Sequence, residues 1–233
     1  MCGRESIEYL QQLMANMMQD ITKNTVEIAQ ALEKLLTQYM RHKHDMRDLL
    51  TLPVKQKVQT IIQNQLKQCK YADGAGFASH IEDKDYWILE WWFKQADADT
   101  HRYFEIDQST QQRLDFRTFE WFQQTTLTHK TYIHGPYVDY VCSTNTAYTT
   151  TTAHPILYNG KFMGVAVLDV LISTLEHYLL PTLNKIKHAI VITNQDGRIV
   201  LSNVPKLRTG SIIKLPAKLV FASEIHPFKI LVI

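Results

Sequence analysis

Apolar side chains recur at alternating steps of three and four residues along the first part of the chain. Between Ser6 and His42, where there is neither glycine nor proline, they form a seam with one polar member. The seam consists of Ile7, Leu10, Met14, Met17, Ile21, Asn24, Ile28, Ala31 and Leu35. This spacing predicts a single helix of roughly 50 Å, at about 1.5 Å per residue. A small domain does not cover so long a helix, which favours a homodimer through the helix over packing within one chain.

A second helix is predicted at about Val54 to Cys69, opened by Pro53 at a position suited to a first-turn proline. The period then changes, and GAGFASHI and YWILEWWF read as strands rich in aromatic and branched residues. Alternation along the second strand places Trp87 and Trp91 on one face and Glu90 on the other. The pattern leaves open which face lines a pocket.

The rest of the chain alternates between strand and helix patterns. RTFEWFQQT reads as a short helix, and TYIHGPYVDYV, AYTTTTAHPIL and KFMGVAVLDV read as strands. YNGK has Asn-Gly at its centre and predicts a hairpin that pairs the last two of these strands. LISTLEHYLLPTLNKIK reads as a helix, HAIVITNQDGRIVLSN as a second hairpin and HPFKILVI as a closing strand. The run Thr149–Thr152 fits a half-exposed sheet.

This order predicts an α+β protein, with a long N-terminal helix, a central antiparallel sheet and a small truncated second β module. We expect three segments. Residues 1–70 form a helical segment with the long helix and the second helix, residues 71–185 a ligand-binding domain, and residues 186–233 a small C-terminal β module.

Composition and motifs reduce the number of function classes that fit the chain. The chain has 233 residues and a formal net charge of +2, so nothing attracts it strongly to nucleic acid. Its apolar stretches are too short and interrupted to span a bilayer, and the N-terminus lacks a signal pattern, so a cytoplasmic chain without a membrane segment is expected. Cys2, Cys69 and Cys142 are odd in number and widely spaced, which argues against disulfides and zinc. No cofactor motif is present.

Two predicted strands each carry an aspartate at or near their end, Asp139 in PYVDY and Asp169 in FMGVAVLDV. A carboxylate there is unfavourable unless a cation or hydrogen-bond donors meet it. Backbone amides would satisfy Asp139, and Asp169 precedes a predicted helix that it could cap. With Glu120 and His134 these residues could also supply acid–base groups, but no nucleophile–base spacing or metal cluster supports an enzyme.

The combination of LDFRTFEWF, GPYVDY, a threonine-rich strand and NGKFMGVAVLDVLISTLE resembles the Cache (PDC-type) sensor domains of bacterial chemoreceptors and sensor kinases. That family shows D-x-R-x-R-P-W-Y, then P-Y-x-D, then P-x-x-x-x-G-x-x-x-G-V-x-x-x-D, and it is usually extracytoplasmic. The resemblance covers roughly residues 74–180. HAIVITNQDGRIVLSN is similar to the opening of a second, membrane-proximal module. The resemblance implies a PAS-like sheet with a ligand pocket between the short helix, its loop and the sheet face.

In the amino-acid-binding branch of that family, two aspartates and aromatic residues hold the ligand ammonium, and an arginine binds the carboxylate. The resemblance places the two aspartates at Asp139 and Asp169. It places the pocket tyrosine at Tyr137 and the motif tryptophan at Trp121. The carboxylate-binding arginine falls on Phe119.

Three further positions complete the comparison with the family motif. The two other motif tyrosines fall on Leu114 and Phe122, and Arg117 matches an arginine that is usually structural. Loss of the carboxylate-binding arginine removes the bidentate partner for a carboxylate. Two aspartates among more aromatic walls suit a cationic ligand, through charge pairing and cation–π contact of about 0.5–2 kcal/mol per ring.

We therefore expect a non-catalytic sensory domain that binds an amine, a polyamine or a quaternary ammonium, with no cofactor. A separate output protein would receive the signal. The alternatives are a structural dimerisation module with a filled pocket or, less favoured, an enzyme. The candidate ligand-binding residues are Asp169, Asp139, Tyr137, Trp121, Phe119, Phe122, Trp87, Tyr132 and Arg117.

Overall fold

The structure is a computed structural model that describes residues 3–40, 52–81, 86–94, 115–140 and 147–233. Helix α1 (Gly3–Met40) comes first and confirms the long helix predicted from the heptad spacing. Helix α2 (Leu52–Gln68) confirms the second, with Pro53 in its first turn. No helix among these described residues is both long and apolar enough to cross a membrane.

The apolar seam of α1 is buried by this chain itself. Leu10, Met17 and Ile28 are each 0% exposed. The polar seam position, Asn24, is 7% exposed, and its Oδ1 accepts a 2.7 Å hydrogen bond from Nε2 of Gln65 on α2. The expectation that the seam pairs with a second copy is therefore wrong. A heptad pattern records that a helix face is covered, but not whether its own chain or a partner covers it.

The first sheet contains five strands, in the spatial order β2-β1-β5-β4-β3. The strands are β1 (Gly74–Ile81), β2 (Tyr86–Phe93), β3 (Tyr132–Val138), β4 (Tyr148–Tyr158) and β5 (Lys161–Leu171). β1 runs antiparallel to both β2 and β5. The predicted hairpin joins β4 to β5, with Asn159 and Gly160 at φ values of 50° and 76°. Both residues at the centre of such a turn need positive φ, which Asn-Gly supplies.

Two short helical elements precede β3, where one short helix was predicted. A 3₁₀ turn spans Phe116–Thr118, and helix α3 (Glu120–Thr128) follows directly. The side chain of Asp115 caps the 3₁₀ turn by accepting from the Arg117 amide. Helix α4 (Ile172–Leu183) follows β5.

A second sheet of four strands lies in the last part of the chain, in the order β7-β6-β9-β8. Its strands are β6 (Ile190–Thr193), β7 (Ile199–Ser202), β8 (Leu219–Phe221) and β9 (Lys229–Val232). β6 and β7 confirm the second predicted hairpin. The sequence pattern missed β8, because a three-residue edge strand with Leu219 and Val220 both more than half exposed shows no alternation.

The prediction of a half-exposed threonine run is also wrong. Thr149, Thr150, Thr151 and Thr152 are between 0% and 3% exposed. The hydroxyls of Thr149, Thr150 and Thr151 find partners inside the structure; Thr149 Oγ1, for example, donates to the carbonyl of Val170 at 3.1 Å. A hydroxyl that has such a partner is buried at little cost.

The chain divides into two compact units, each discontinuous in sequence. One contains Met1–Asp20, Ile133–Thr150 and Val170–Ile233, and the other contains Ile21–Tyr132 and Thr151–Asp169. The division into segments at residues 70 and 185 remains a prediction. The α+β class, with a long N-terminal helix and antiparallel pairing, is confirmed.

Candidate ligand-binding site

Two glycines on β1 shape the sheet face that carries one of the predicted aspartates. Gly74 lies opposite Asp169 of β5, and Gly76 lies opposite Trp91 of β2. Because side chains alternate along a strand and neighbours in register share a face, these four positions lie on one face of the sheet. Glu90 lies on the other face.

The indole of Trp91 lies over both glycines. A Cβ atom at Gly76 would lie 2.2 Å from Cε3 of this indole, and one at Gly74 would lie 3.2 Å from its Nε1. The same Cβ position at Gly74 is 3.4 Å from Cβ of Asp169. The strand Gly-Ala-Gly therefore leaves a slot for the indole, and the slot brings the indole nitrogen next to the aspartate.

The Trp91 indole nitrogen is a buried donor with no hydrogen-bond partner in the described part of the chain. The side chain is 0% exposed. A buried N–H without an acceptor costs free energy, and native structures contain few of them. This N–H is therefore a candidate hydrogen-bond donor to a ligand at this face.

Asp169 is held as an acceptor on this face. It is 4% exposed, and its Oδ1 accepts a 2.6 Å hydrogen bond from the hydroxyl of Thr151. The alternative that Asp169 caps the following helix is wrong, because Asp169 lies within β5 and Leu171 occupies the N-cap of α4 with no side-chain cap.

An aromatic cluster from the 3₁₀ turn and α3 adjoins Trp91. The ring of Trp121 lies 6.3 Å from that of Trp91 and stacks between Phe116 and Phe119, at centroid distances of 6.4 Å and 6.1 Å. Phe122 meets Trp121 edge-on at 5.9 Å. These arrangements are those that aromatic quadrupoles favour. The face with Asp169 therefore carries an aromatic wall from two segments far apart in sequence.

The opposite face of the sheet packs on α2. Glu90 is 3% exposed, and Lys55 Nζ of α2 lies 3.5 Å from its Oε1. Gln59 Nε2 donates to the other carboxylate oxygen at 3.4 Å. Glu90 is thus a structural carboxylate that contacts α2, which leaves the Trp91 face as the candidate for a ligand site.

Residues 58–177 match the family model described as methyl-accepting chemotaxis protein-like, first PDC sensor domain. The chain belongs to this family. The Cache (PDC-type) resemblance read from the motifs is confirmed, and the protein is a sensory domain of the ligand-binding PDC class. No curated protein sequence matches the chain.

Solved structures show the same fold. "Methyl-accepting Chemotaxis protein X" superposes with a TM-score of 0.63 at 15% identity, covering 88% of this chain and 74% of that one. The periplasmic sensory domain of the Campylobacter jejuni chemoreceptor Tlp1 gives 0.62 at 13%, covering 89% and 72%. The ligand-binding domain of Campylobacter jejuni Tlp3 in complex with 4-methylisoleucine gives 0.56 at 15%, covering 99% and 90%.

The remaining sequence candidates in the same unit of this PDC sensor domain differ in their surroundings. Arg117 chelates Asp115, with 2.7 Å between its Nη2 and one carboxylate oxygen, which is a structural contact of the 3₁₀ turn. The hydroxyl of Tyr132 donates to the Glu120 carboxylate. Phe122 is 5% exposed and packs edge-on against Phe162. The backbone of Trp87 lies in β2 opposite His80.

Two candidates lie in the other unit of the PDC sensor domain. Asp139 follows β3 and is 3% exposed. Tyr137 lies near the end of β3, with its ring centroid 4.9 Å from that of His134. Their place in the ligand site remains a prediction from the family motif.

Sequence reasoning missed Trp91 and Thr151 as parts of this face. The signal for Trp91 was present, since it shares the alternation of Trp87 and sits beside a strand with glycines two residues apart. Thr151 had no such signal, because its pairing with Asp169 depends on the register of two strands. Among the described residues, no group of three or more His, Cys, Asp and Glu side chains is placed to hold a metal ion.

Proposed function

We propose that this PDC sensor domain binds a small amine, a polyamine or a quaternary ammonium compound at the Asp169 face. The observation that carries the proposal is the pairing of a buried carboxylate with an unmatched donor. Asp169 offers a negative acceptor, and Trp91 Nε1 beside it offers an N–H. A ligand with a cationic nitrogen and a nearby hydroxyl or carbonyl oxygen would pair with the carboxylate and accept a hydrogen bond from the indole N–H.

The aromatic wall supports a cation at this face. Trp121 and Phe119 stack near Trp91, and Phe119, which stands where the family motif has its carboxylate-binding arginine, is half-buried. Cation–π contacts with such rings contribute about 0.5–2 kcal/mol each. A free α-amino acid would place its carboxylate where an aromatic ring desolvates it without compensation.

Calorimetric titration of the protein with a panel of amines and of free amino acids tests the proposal. Asp169→Asn should weaken amine binding by about 2–4 kcal/mol, because it removes the charge that the cation pairs with. Glu90→Gln is the matched control: it alters a buried carboxylate on the other face and should lower stability while leaving amine affinity unchanged. Equal affinity in the wild type and Asp169→Asn would remove this residue from the site.

The choice between amines and amino acids depends on one position. Phe119→Arg should weaken amine binding by like-charge repulsion and should introduce binding of free amino acids through a bidentate contact. Micromolar binding of ordinary amino acids by the unaltered protein would contradict the proposed preference of this site for amines. The names of two Tlp3 structures record complexes with 4-methylisoleucine and L-valine, so both amino acids belong in the panel.

Three further features belong to this proposal. The domain acts without catalysis, and a separate output protein carries the signal.

A homodimer through the N-terminal helix would have to use the exposed side of α1, where Tyr9 is 62% exposed, because the seam is buried. The cytoplasmic location expected from the sequence remains a prediction, although family membership favours an extracytoplasmic one, and cell fractionation separates the two.

A further inference from the structure

A groove lies between the first turns of α1 and the second sheet, within one of the two compact units. Its volume is about 270 Å³. The helix contributes Glu8, Gln11, Gln12 and Ala15, and the sheet side contributes Phe221, Ala222, Ser223, His226 and Ile230. Cavities of about 150 Å³ admit benzene, and drug-sized ligands take upwards of about 300 Å³, so this groove suits a molecule the size of one small ring.

His226 gives the groove an unsatisfied polar group. The side chain is 7% exposed, and its Nδ1 forms no hydrogen bond with any residue that the structure describes. Its ring lies 5.9 Å from that of Phe228, which fixes it on the apolar side. Burial also lowers the pKa of His226, despite the opposing effect of the nearby Phe228 and His226 carbonyls, so the ring is neutral at pH 7.

A neutral imidazole nitrogen is either a donor or an acceptor, depending on the tautomer. A hydroxyl group serves in both cases, because it donates one hydrogen bond and accepts others. The neighbouring polar groups have the same dual character: Gln11 and Gln12 carry amides, and Ser223 a hydroxyl. Several hydroxyls on one small molecule would therefore find partners around the groove.

The charge of the groove excludes other ligand classes. Among the described residues that border it, Glu8 alone carries a formal charge, and Glu8 is exposed on α1. No lysine or arginine in the described part of the chain borders it to attract an anion, and an exposed carboxylate in water contributes little to the binding of a cation. Ala15, Phe221 and Ile230 add an apolar wall suited to the C–H face of a ring.

We propose that this groove is a second ligand site, separate from the Asp169 face, and that it binds a small uncharged polyhydroxy compound of single-sugar size. His226 and Gln11 supply the polar contacts, and Phe221 the apolar one. This proposal is independent of the amine proposal, since it uses none of the same residues.

Titration calorimetry on the whole chain tests it, with myo-inositol and D-glucose as neutral probes and D-glucuronate and D-glucosamine as charged counterparts. We expect the neutral probes to bind and the charged ones to bind at least about tenfold more weakly. His226→Leu fills similar space and removes both ring nitrogens, and it should weaken binding by about tenfold or more, since one buried partner is lost. His188→Leu, at an exposed histidine of the same unit, is the matched control and should bind as the wild type does.

A second variant guards against misfolding of the first. Gln11→Ala changes a half-buried position on a helix that alanine favours, and it should also weaken binding of the neutral probes. Asp169→Asn should leave that binding unchanged. Failure of the neutral probes to bind at millimolar concentration would overturn the second site, as would binding that is unaffected in both His226→Leu and Gln11→Ala.

Discussion

At the scale of single residues, the two tryptophans next to each other on β2 have different surroundings. Trp91 lies over two glycines with its indole nitrogen beside Asp169, whereas Trp92 lies on the opposite face with Glu90. Both side chains are at least nine-tenths buried. The difference in function that we propose therefore comes from the face of the sheet and not from burial.

This pair allows a sharp test of the donor at the amine site. Trp91→Phe keeps an aromatic ring over the glycines and removes the N–H. We expect amine affinity to fall by about 1–3 kcal/mol for ligands that carry an oxygen acceptor and to stay constant for those without one. Trp92→Phe is the matched control and should leave both affinities unchanged in calorimetry. A uniform loss across both ligand groups would indicate a packing effect rather than a hydrogen bond.

Two partly buried histidines give stability a predictable dependence on pH. Burial lowers the pKa of His226 and of His154. Because the unfolded chain takes up protons at about pH 6.5 while the folded chain resists them, the free energy of unfolding should fall as the pH drops below about 6.5. Urea denaturation between pH 7.5 and 5, two values chosen to span about 6.5, measures this. His226→Gln should flatten the curve in part, and a wild-type curve that rises on acidification would contradict the assignment.

At the level of secondary-structure elements, the glycines of β1 leave a slot that the Trp91 indole occupies. A Cβ at Gly76 would lie 2.2 Å from the Trp91 ring and 2.7 Å from the carbonyl oxygen of Glu90. The backbone of β2 cannot move away without breaking its pairing with β1, so the indole and the Glu90 carbonyl both oppose a side chain at this position. The close approach of these two groups, and not an unusual backbone conformation, therefore requires glycine here.

Gly76→Ala should accordingly destabilise the fold by about 1–3 kcal/mol, the usual cost of overpacking. Thermal or urea denaturation measures the change. In the background of Trp91→Leu the same substitution should cost less, because a smaller side chain occupies the slot. Equal costs in both backgrounds would show that the indole is not the obstacle, since residues in contact couple and independent ones do not.

At the scale of the whole molecule, the long N-terminal helix is held by its own chain. Gln65 of α2 donates through Nε2 to Asn24 Oδ1 and to Glu27 Oε2, each at 2.7 Å. The Gln65 amide therefore contacts Asn24 at the position where the seam pattern suggested a contact from a second copy of the chain. Asn24, the polar position of the seam, therefore takes part in packing within the chain.

Asn24→Leu should leave the mass in solution unchanged, because Asn24 is buried against Gln65 of its own chain. It should lower stability by about 1–3 kcal/mol, because the Gln65 amide loses its buried partner. Light scattering and urea denaturation check the two parts. The matched change Lys23→Leu, at the exposed neighbour of Asn24, should alter neither. A change of mass in Asn24→Leu but not in Lys23→Leu would contradict this prediction and would indicate that the seam takes part in dimerisation.

Most of the elements of the fold can be predicted from local patterns in the sequence. The boundaries of β1 and β2, the Asn-Gly hairpin and the long helix were all readable, because each depends on a period or a turn residue within one short segment. The motif residues from Asp115 to Trp121 and the pattern that leads to Asp169 in β5 also identified the family, since they keep a fixed spacing along the chain.

What each element contacts depends on the tertiary structure. The tertiary structure buried the threonines, paired Thr151 with Asp169 and covered the α1 seam with this chain. Each of these outcomes depends on contacts between segments far apart in sequence, and a periodic pattern is the same whichever partner covers it. The residues that bring a donor and an acceptor together therefore became visible only when the strands were placed in register.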